Sequence, residues 1–253
     1  MIYAFVDTET TGLPKSGDPK QDGQARVCQL AVLLTDDNGK ALNEMCFIIK
    51  PNGWTISDGA ANVHGITMEV AENHGINAIT AYKLFAAQAK QADMIVAHNV
   101  AFDKRLIEIE AACLGEDIVD KPWHCTMEQS RDICAIAPTE KMVMAGRTEC
   151  FKSPKLEEAY RIICRRSLGD SAHNAMADVR ACRDIFFALK NKSYQTKYPV
   201  DFVLLACAND DAGLEDAKRY ISESKLTNDD VRLLRSGAEI VVKTKREVTL
   251  GAG

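Results

Sequence analysis

Two carboxylates, Asp7 and Glu9, follow directly on the apolar, β-prone run from Met1 to Val6, and no other stretch limits the fold as much. An apolar run of this length, with turn chemistry close behind it, reads as a buried central strand. Side chains two apart on a strand share a face, so the spacing predicts that Asp7 and Glu9 stand together at the strand's carboxyl end. Two like charges about 4 Å apart repel by roughly 4 kcal/mol at an effective dielectric near 20, unless a proton or a cation lies between them. A divalent metal is the simplest remedy. A strand end running into a polar loop through Thr10, Thr11 and Gly12 is the plainer reading of the same residues.

The rest of the first 190 residues supplies a sheet and its covering helices. Pro14 to Gly23 reads as an exposed loop from its Gly, Pro, Asp and Lys content. Strands are expected over Arg26–Leu34 and Ala41–Ile49, joined through Asn38-Gly39, a strong hairpin signal, so the first three strands form an antiparallel meander. Ser57 and Thr67 suit the amino ends of short helices, and Ala78–Gln91 has helical propensity throughout. A fourth strand over Asp93–Asn99 leads into a helix capped by Asn99. Its apolar stripe is Phe102, Leu106, Ile109 and Cys113, with Asp103 beside it in the first turn. A fifth strand over Trp123–Thr126, a helix over Met127–Ala135, a weakly patterned connection over Pro138–Lys152 and a helix over Lys155–Arg166 follow. The helix Asn174–Lys190 turns Ala175, Val179, Cys182, Phe186 and Leu189 to one side, with His173 at its entrance and Asp178 one turn in. Strands first, then helices alternating with short strands, imply the α/β class with a mixed sheet flanked by helices.

Composition narrows the setting. Of 253 residues 46% are apolar and 26% charged, with no run approaching the eighteen apolar residues of a membrane helix, so no membrane role is expected. The amino terminus has no leader pattern, which predicts a cytoplasmic protein. Nine scattered cysteines, without a Cys-x-x-Cys pair, predict reduced thiols. A net charge of −5 does not advertise a polyanion partner, although a small basic patch beside bound metal ions is enough to hold a phosphate chain. Residues 191–199, polar and ending in Pro199, read as a linker to a small α+β appendage over 200–253. In that appendage helices are expected over Gly213–Ser224 and after Thr227, then a hairpin over Glu239–Leu250 turning at Lys243-Thr244-Lys245-Arg246. Such a module suits phosphate contact, docking to a polymerase or another protein, or simply a solvated charged hairpin.

Three separated clusters now stand out: Asp7-Thr8-Glu9-Thr10-Thr11-Gly12, His98-Asn99-Val100-Ala101-Phe102-Asp103 and His173-Asn174-Ala175-Met176-Ala177-Asp178. Together they resemble the three motifs of the DEDD superfamily of 3′-5′ exonucleases, and the His-x4-Asp spacing of the third marks the DEDDh branch. That branch is similar to the proofreading subunit of bacterial replicative DNA polymerases, to ribonuclease T and to oligoribonuclease. Val63-His64-Gly65-Ile66-Thr67 and Lys155-Leu156-Glu157-Glu158-Ala159-Tyr160 are secondary matches. The resemblance covers residues 1 to 190 and implies a ribonuclease-H-like fold, here a mixed five-stranded sheet flanked by helices, with its site at the strand carboxyl ends.

It also implies an activity: hydrolysis of phosphodiester bonds from a free 3′ end, releasing nucleoside 5′-monophosphates. Single-stranded DNA is favoured slightly, and RNA trimming or oligoribonucleotide hydrolysis is the alternative within the family. Two Mg²⁺ or Mn²⁺ ions would sit on Asp7, Glu9, Asp103 and Asp178, which are hard oxygen donors, and His173 would act as general base. Asp7 would bridge both ions, Glu9 and Asp178 would hold the ion carrying the attacking water, and Asp103 would be an outer or water-mediated ligand. The backbone from Thr10 and Thr11 through Gly12, the side chain of Leu13, and His64, Asn99 and Phe102 are expected at the nucleotide. An idle nucleic-acid-binding or polymerase-accessory subunit of the same fold is the rival from another class; it would not require the full set of acids with His173. The sequence does not fix the oligomeric state.

Overall fold

The computed structural model describes residues 1–148, 150–169 and 174–192, and the backbone of 206–207, 231–236 and 239–244. The chain divides into two compact units, Met1–Tyr194 and Gln195–Gly253.

The first unit is built on β1 (Tyr3–Thr10), β2 (Val27–Thr35), β3 (Ala41–Ile48), β4 (Met94–Ala97) and β5 (Trp123–Cys125). Their order in the sheet is β3-β2-β1-β4-β5; β1, β2 and β3 pair antiparallel, and β4 and β5 run parallel to β1 and to each other. The expected meander and mixed five-stranded sheet are present. Gly39 at the β2–β3 turn has φ of 82°, a conformation that favours glycine.

β1 is longer than expected. It does not stop at Val6 but continues through both acids to Thr10, paired with β2 throughout. Charged residues are rare in a central strand, yet these lie where β1 has outrun one neighbour: β4 pairs with β1 only over Tyr3–Phe5. Beyond Phe5 one edge of β1 is open.

Period two along β1 assigns its side chains to two layers. Tyr3 and Phe5 pack with Ala31, Leu33 and Val96 against Val179, Cys182 and Phe186 of α8 (Ala175–Lys190). Ala4 and Val6 face the other way, with Leu30, Val32 and Ile95, against Phe85 of α3 (Ala78–Gln91) and Leu106 and Ile109 of α4 (Val100–Leu114). Phe5, Phe85, Leu106 and Ile109 are fully buried, each worth about 1.5–3 kcal/mol of transfer free energy. The inward face of α4 is not quite the one expected: Ile107, Glu110 and Ala111 are buried, while Cys113 is exposed. Asn99 occupies the cap position of α4 but makes no side-chain cap hydrogen bond.

A satellite core joins α5 (Thr126–Cys134), α7 (Leu156–Cys164) and α8 through Cys134, Ala159, Ile163, Ala181 and Ile185. His98, at the end of β4, is buried between the Thr126 hydroxyl (Nδ1 to Oγ1, 3.0 Å) and the Pro154 carbonyl (Nε2 to O, 3.0 Å), and burial pushes its pKa down. It ties β4 to α5 and to the approach of α7, a packing role. Among the described residues the connection between α5 and α7 contains one short helix, α6 (Glu140–Met144). Two further short helices, α1 (Asp58–His64) and α2 (Met68–His74), start at Ser57 and Thr67 as expected, each hydroxyl accepting from the backbone three residues on.

In the second unit β6 (Ala206–Cys207), β7 (Val231–Ser236) and β8 (Glu239–Thr244) form a three-stranded antiparallel sheet in the order β6-β8-β7. Two expectations are corrected here. A strand, not a helix, follows Thr227, and the hairpin is β7–β8 with Ser236 opposite Glu239, so Lys243 and Thr244 lie in a strand. β8 is rich in β-branched residues, Ile240, Val241, Val242 and Thr244, which suit a strand. The helix expected over 213–224 lies outside the described residues.

Candidate metal centre

Asp7 and Glu9 share the β1 face that carries Tyr3 and Phe5, so both point toward α8, whose first turn brings Asp178 to meet them. One carboxylate oxygen from each of Asp7, Glu9 and Asp178 lies within 4.8 Å of the others. Glu9 and Asp178 are buried and Asp7 is half-buried. The N-cap Asn174 side chain accepts from Ala177 N at 3.2 Å, and Ala175 N donates to Gln29 of β2 at 3.4 Å; these bonds fix the start of α8 over the sheet.

Asp103 arrives from the opposite layer. Thr8, between the two strand acids, points to the α4 face, and its N–H lies on the edge that β4 leaves open. That N–H (3.1 Å) and the Thr8 hydroxyl (2.8 Å) both donate to Asp103 Oδ1. Sequence reasoning missed Thr8, although period two applied to Asp-Thr-Glu turns its side chain away from the acids and toward α4.

The electrostatics follow from crowding. Burial raises the pKa of Asp7 well above the carboxylate range, and the charges of Asp103, Asp178 and Glu9 raise it further. Burial, then Asp178 and Asp103, push Glu9 up to about 7. Asp103 is raised to about 7 by burial, against the lowering effect of the Thr8 hydrogen bonds. These groups hold protons near neutrality unless cations replace them. The donor set is all oxygen, which fits Mg²⁺ or Mn²⁺. The neighbouring thiols do not compete: burial, helped by the charge of Glu9, pushes Cys28 up to about 12, and Cys182 is raised by burial still further.

The loop after β1 is held by the start of β2. Thr11 N donates to the Arg26 carbonyl (3.0 Å), and Thr11 Oγ1 accepts from Arg26 N (3.0 Å). Thr10 Oγ1 donates to the Gly12 carbonyl (2.8 Å). Both hydroxyls therefore serve the loop's own shape. Arg26 in turn makes a two-pronged ion pair with buried Glu110 of α4, both arms 2.8 Å, and Glu110 also accepts from Val27 N at 2.9 Å. This pair also escaped the sequence reading, since two residues 84 apart carry no local signal.

Leu13 is 83% exposed beside this site, an apolar residue that no packing explains. A Cβ at Gly12 would meet no protein atom within 4 Å, leaving that backbone open to a ligand. Phe102 is half-buried against the core and Asn99 is exposed. His64 is half-buried: its Nε2 lies 3.5 Å from Cys28 Sγ and its Nδ1 accepts from Ile66 N (3.2 Å). Of the expected site residues, His173 lies outside the described residues.

The family model RNase_T, described as an exonuclease, matches residues 4–186. No curated protein sequence matches the chain. Among solved structures the chain is similar to E. coli exonuclease I in complex with a dA16 oligonucleotide, at 23% identity and a TM-score of 0.57 over 77% of this chain and 41% of that one. The complex of that enzyme with a dT13 oligonucleotide gives 22% identity and 0.59 over the same shares of 77% and 41%. A moderately thermophilic exonuclease I from Methylocaldum szegediense gives 20% and 0.55, again over 77% and 41%. At such identities the likeness is one of fold, and this chain spans about two-fifths of the length of those exonuclease I chains.

Proposed function

Because the chain belongs to the RNase_T exonuclease family, we propose that it is a divalent-metal-dependent exonuclease of the DEDDh branch. It shortens nucleic acid from a free 3′ end and releases nucleoside 5′-monophosphates, with single-stranded DNA preferred to RNA. The observation that carries this reading is the meeting of Asp7, Glu9 and Asp178 oxygens within 4.8 Å, with Asp103 keyed to the residue between the two strand acids.

Bound divalent ions supply positive charge to the phosphodiester oxygens and lower the pKa of a water molecule. The protein's part is to hold and orient. Asp7, Glu9 and Asp178 would hold the ions directly, with Asp7 the ligand they would share, and Asp103, whose Oδ1 is committed to Thr8, would act from the outer side. His173 takes the proton from the attacking water and releases it to solvent, which an imidazole does near neutrality. The main chain from Thr10 to Gly12 lies against the terminal sugar, Leu13 wedges against the last bases, and Phe102 and Asn99 border the same nucleotide. The oligonucleotide complexes of exonuclease I support single-stranded DNA as the substrate to test first.

The test is product analysis with Mn²⁺ or Mg²⁺ on single-stranded DNA, duplex DNA and short RNA. Mononucleotides with 5′-phosphates, released fastest from single-stranded DNA, are expected. Faster release from RNA would move the reading to the oligoribonucleotide branch, and no release from any of them would favour an idle binding subunit.

A further inference from the structure

Beside the acids, the loop after Leu13 and the solvent face of α4 enclose an open groove with a cavity volume of about 490 Å³. Pro14, Lys15 and Ser16 form one wall, and Lys104, Arg105 and Glu108 form the other. Both walls continue elements of the metal centre: Pro14 follows Leu13 directly, and Lys104 follows Asp103.

Three cations against one acid line this groove in a chain whose net charge is −5. Their uses differ. Arg105 is a positioning residue: its Nη2 donates to the carbonyls of Lys15 (3.2 Å) and Gly17 (2.6 Å), and its Nη1 lies 3.8 Å from Glu108. The guanidinium thus clamps the loop to the helix and offsets the groove's acid. Among the described residues Lys15 Nζ donates only to a neutral acceptor, the Asp22 carbonyl at 3.2 Å, and Lys104 is in no ion pair. Two exposed ammonium charges 89 positions apart in sequence therefore lie across one groove with no carboxylate partner among the described residues. Solvated lysines are common on a helix face; lysines matched across a clamped groove that opens beside a cluster of acids are not explained that way. A polyanion approaching four carboxylates meets repulsion, and local positive charge beside the cluster counters it.

We propose that this groove is a phosphodiester track: Lys15 and Lys104 hold backbone phosphates of a single strand upstream of the nucleotide at the acids, in a wall geometry set by Arg105. The inference rests on the exonuclease reading for what sits at the acids, while phosphate contact carries no sequence information of its own. It predicts a length-dependent grip.

The experiment measures affinity for a twelve-residue thymidine oligonucleotide at several salt concentrations in Mg²⁺. Its last linkage is a phosphorothioate, so that the strand keeps its charge and resists cleavage. The parent protein is compared with Lys15→Gln/Lys104→Gln and with a control, Lys50→Gln/Lys83→Gln, which removes two exposed lysines away from the groove. Each single-strand phosphate contact contributes about 0.7 to the slope of log affinity against log salt, so the groove variant should lose about 1.4. At low salt its kcat/KM on the unmodified dodecamer should fall about tenfold more than on a dinucleotide. A slope equal to the parent's, an equal fall in the control, or equal losses on dodecamer and dinucleotide would overturn the track. If the parent binds with the predicted slope difference but cleaves nothing, the exonuclease reading fails and the track stands.

Discussion

Asp103 Oδ1 accepts both the backbone N–H and the hydroxyl of Thr8, at 3.1 and 2.8 Å, so an acid from one layer of the fold is locked to the strand residue that separates two acids of the other. The contact is possible because β4 ends at Ala97 and pairs with β1 only to Phe5, leaving the Thr8 N–H for a side chain.

That contact has a testable electrostatic consequence. The Thr8 bonds lower the Asp103 pKa against a larger upward push from burial. Thr8→Val keeps the shape and removes the hydroxyl, so Asp103 should hold its proton to higher pH. The acidic limb of the pH–rate profile is expected to move upward by roughly half a unit to one unit. A limb that stays in place would separate Asp103 from the rate.

A second consequence concerns stability without metal. Glu9 and Asp103 have folded-state pKa values raised to about 7, and Asp7 is raised as well, whereas unfolded carboxylates titrate near 4. The folded form then binds more protons than the unfolded form between about pH 4 and pH 7, so the contribution of these groups falls as pH rises through that window. Divalent ions replace the protons, and their stabilising effect should grow with pH. Melting temperatures in Mn²⁺ and in a chelator, compared at about pH 5.5 and about pH 8, should show the larger ion-induced rise at the higher pH. An equal or larger rise at the lower pH would contradict the crowding of these acids.

The sequence carried much of this fold because the informative residues are local. The helix Ala78–Gln91 was readable to its ends from propensity, and the capping hydroxyls of Ser57 and Thr67 announced α1 and α2. The three acidic motifs named the residues that meet, since each sits at a strand or helix end. What escaped were long-range facts. Where β1 ends depends on how far β2 and β4 run beside it, not on its own residues. The inward turn of Glu110 depends on Arg26, and the β7–β8 register depends on strand pairing that overrode the capping signal at Thr227.

The Arg26–Glu110 pair gives a structural prediction. Both side chains are largely withdrawn from water, at 18% and 8% exposure, so removing one leaves the other's charge uncompensated. Glu110→Ala should destabilise the protein by about 3 kcal/mol and loosen the Thr11 loop that Arg26 holds. Denaturant unfolding measures the first effect, and loss of hydrogen-exchange protection at the Thr11 amide measures the second. A protected amide in the variant would mean that the loop holds its shape without the pair.

For the proposed general base, His173→Ala should lower turnover by about 10² to 10⁴ while leaving the Mn²⁺-induced rise in melting temperature intact, because the carboxylates are undisturbed. Turnover near that of the parent at saturating Mn²⁺ would remove His173 from the mechanism.

The most direct measurement of the central claim follows a 5′-labelled single-stranded oligonucleotide with the parent protein and with Asp7→Asn, in Mn²⁺ and in a chelator. The account predicts a ladder shortening one nucleotide at a time from the 3′ end with the parent in Mn²⁺, and full-length strand in the other three conditions. An intact strand with folded parent protein in Mn²⁺, or the same ladder from Asp7→Asn, would contradict it.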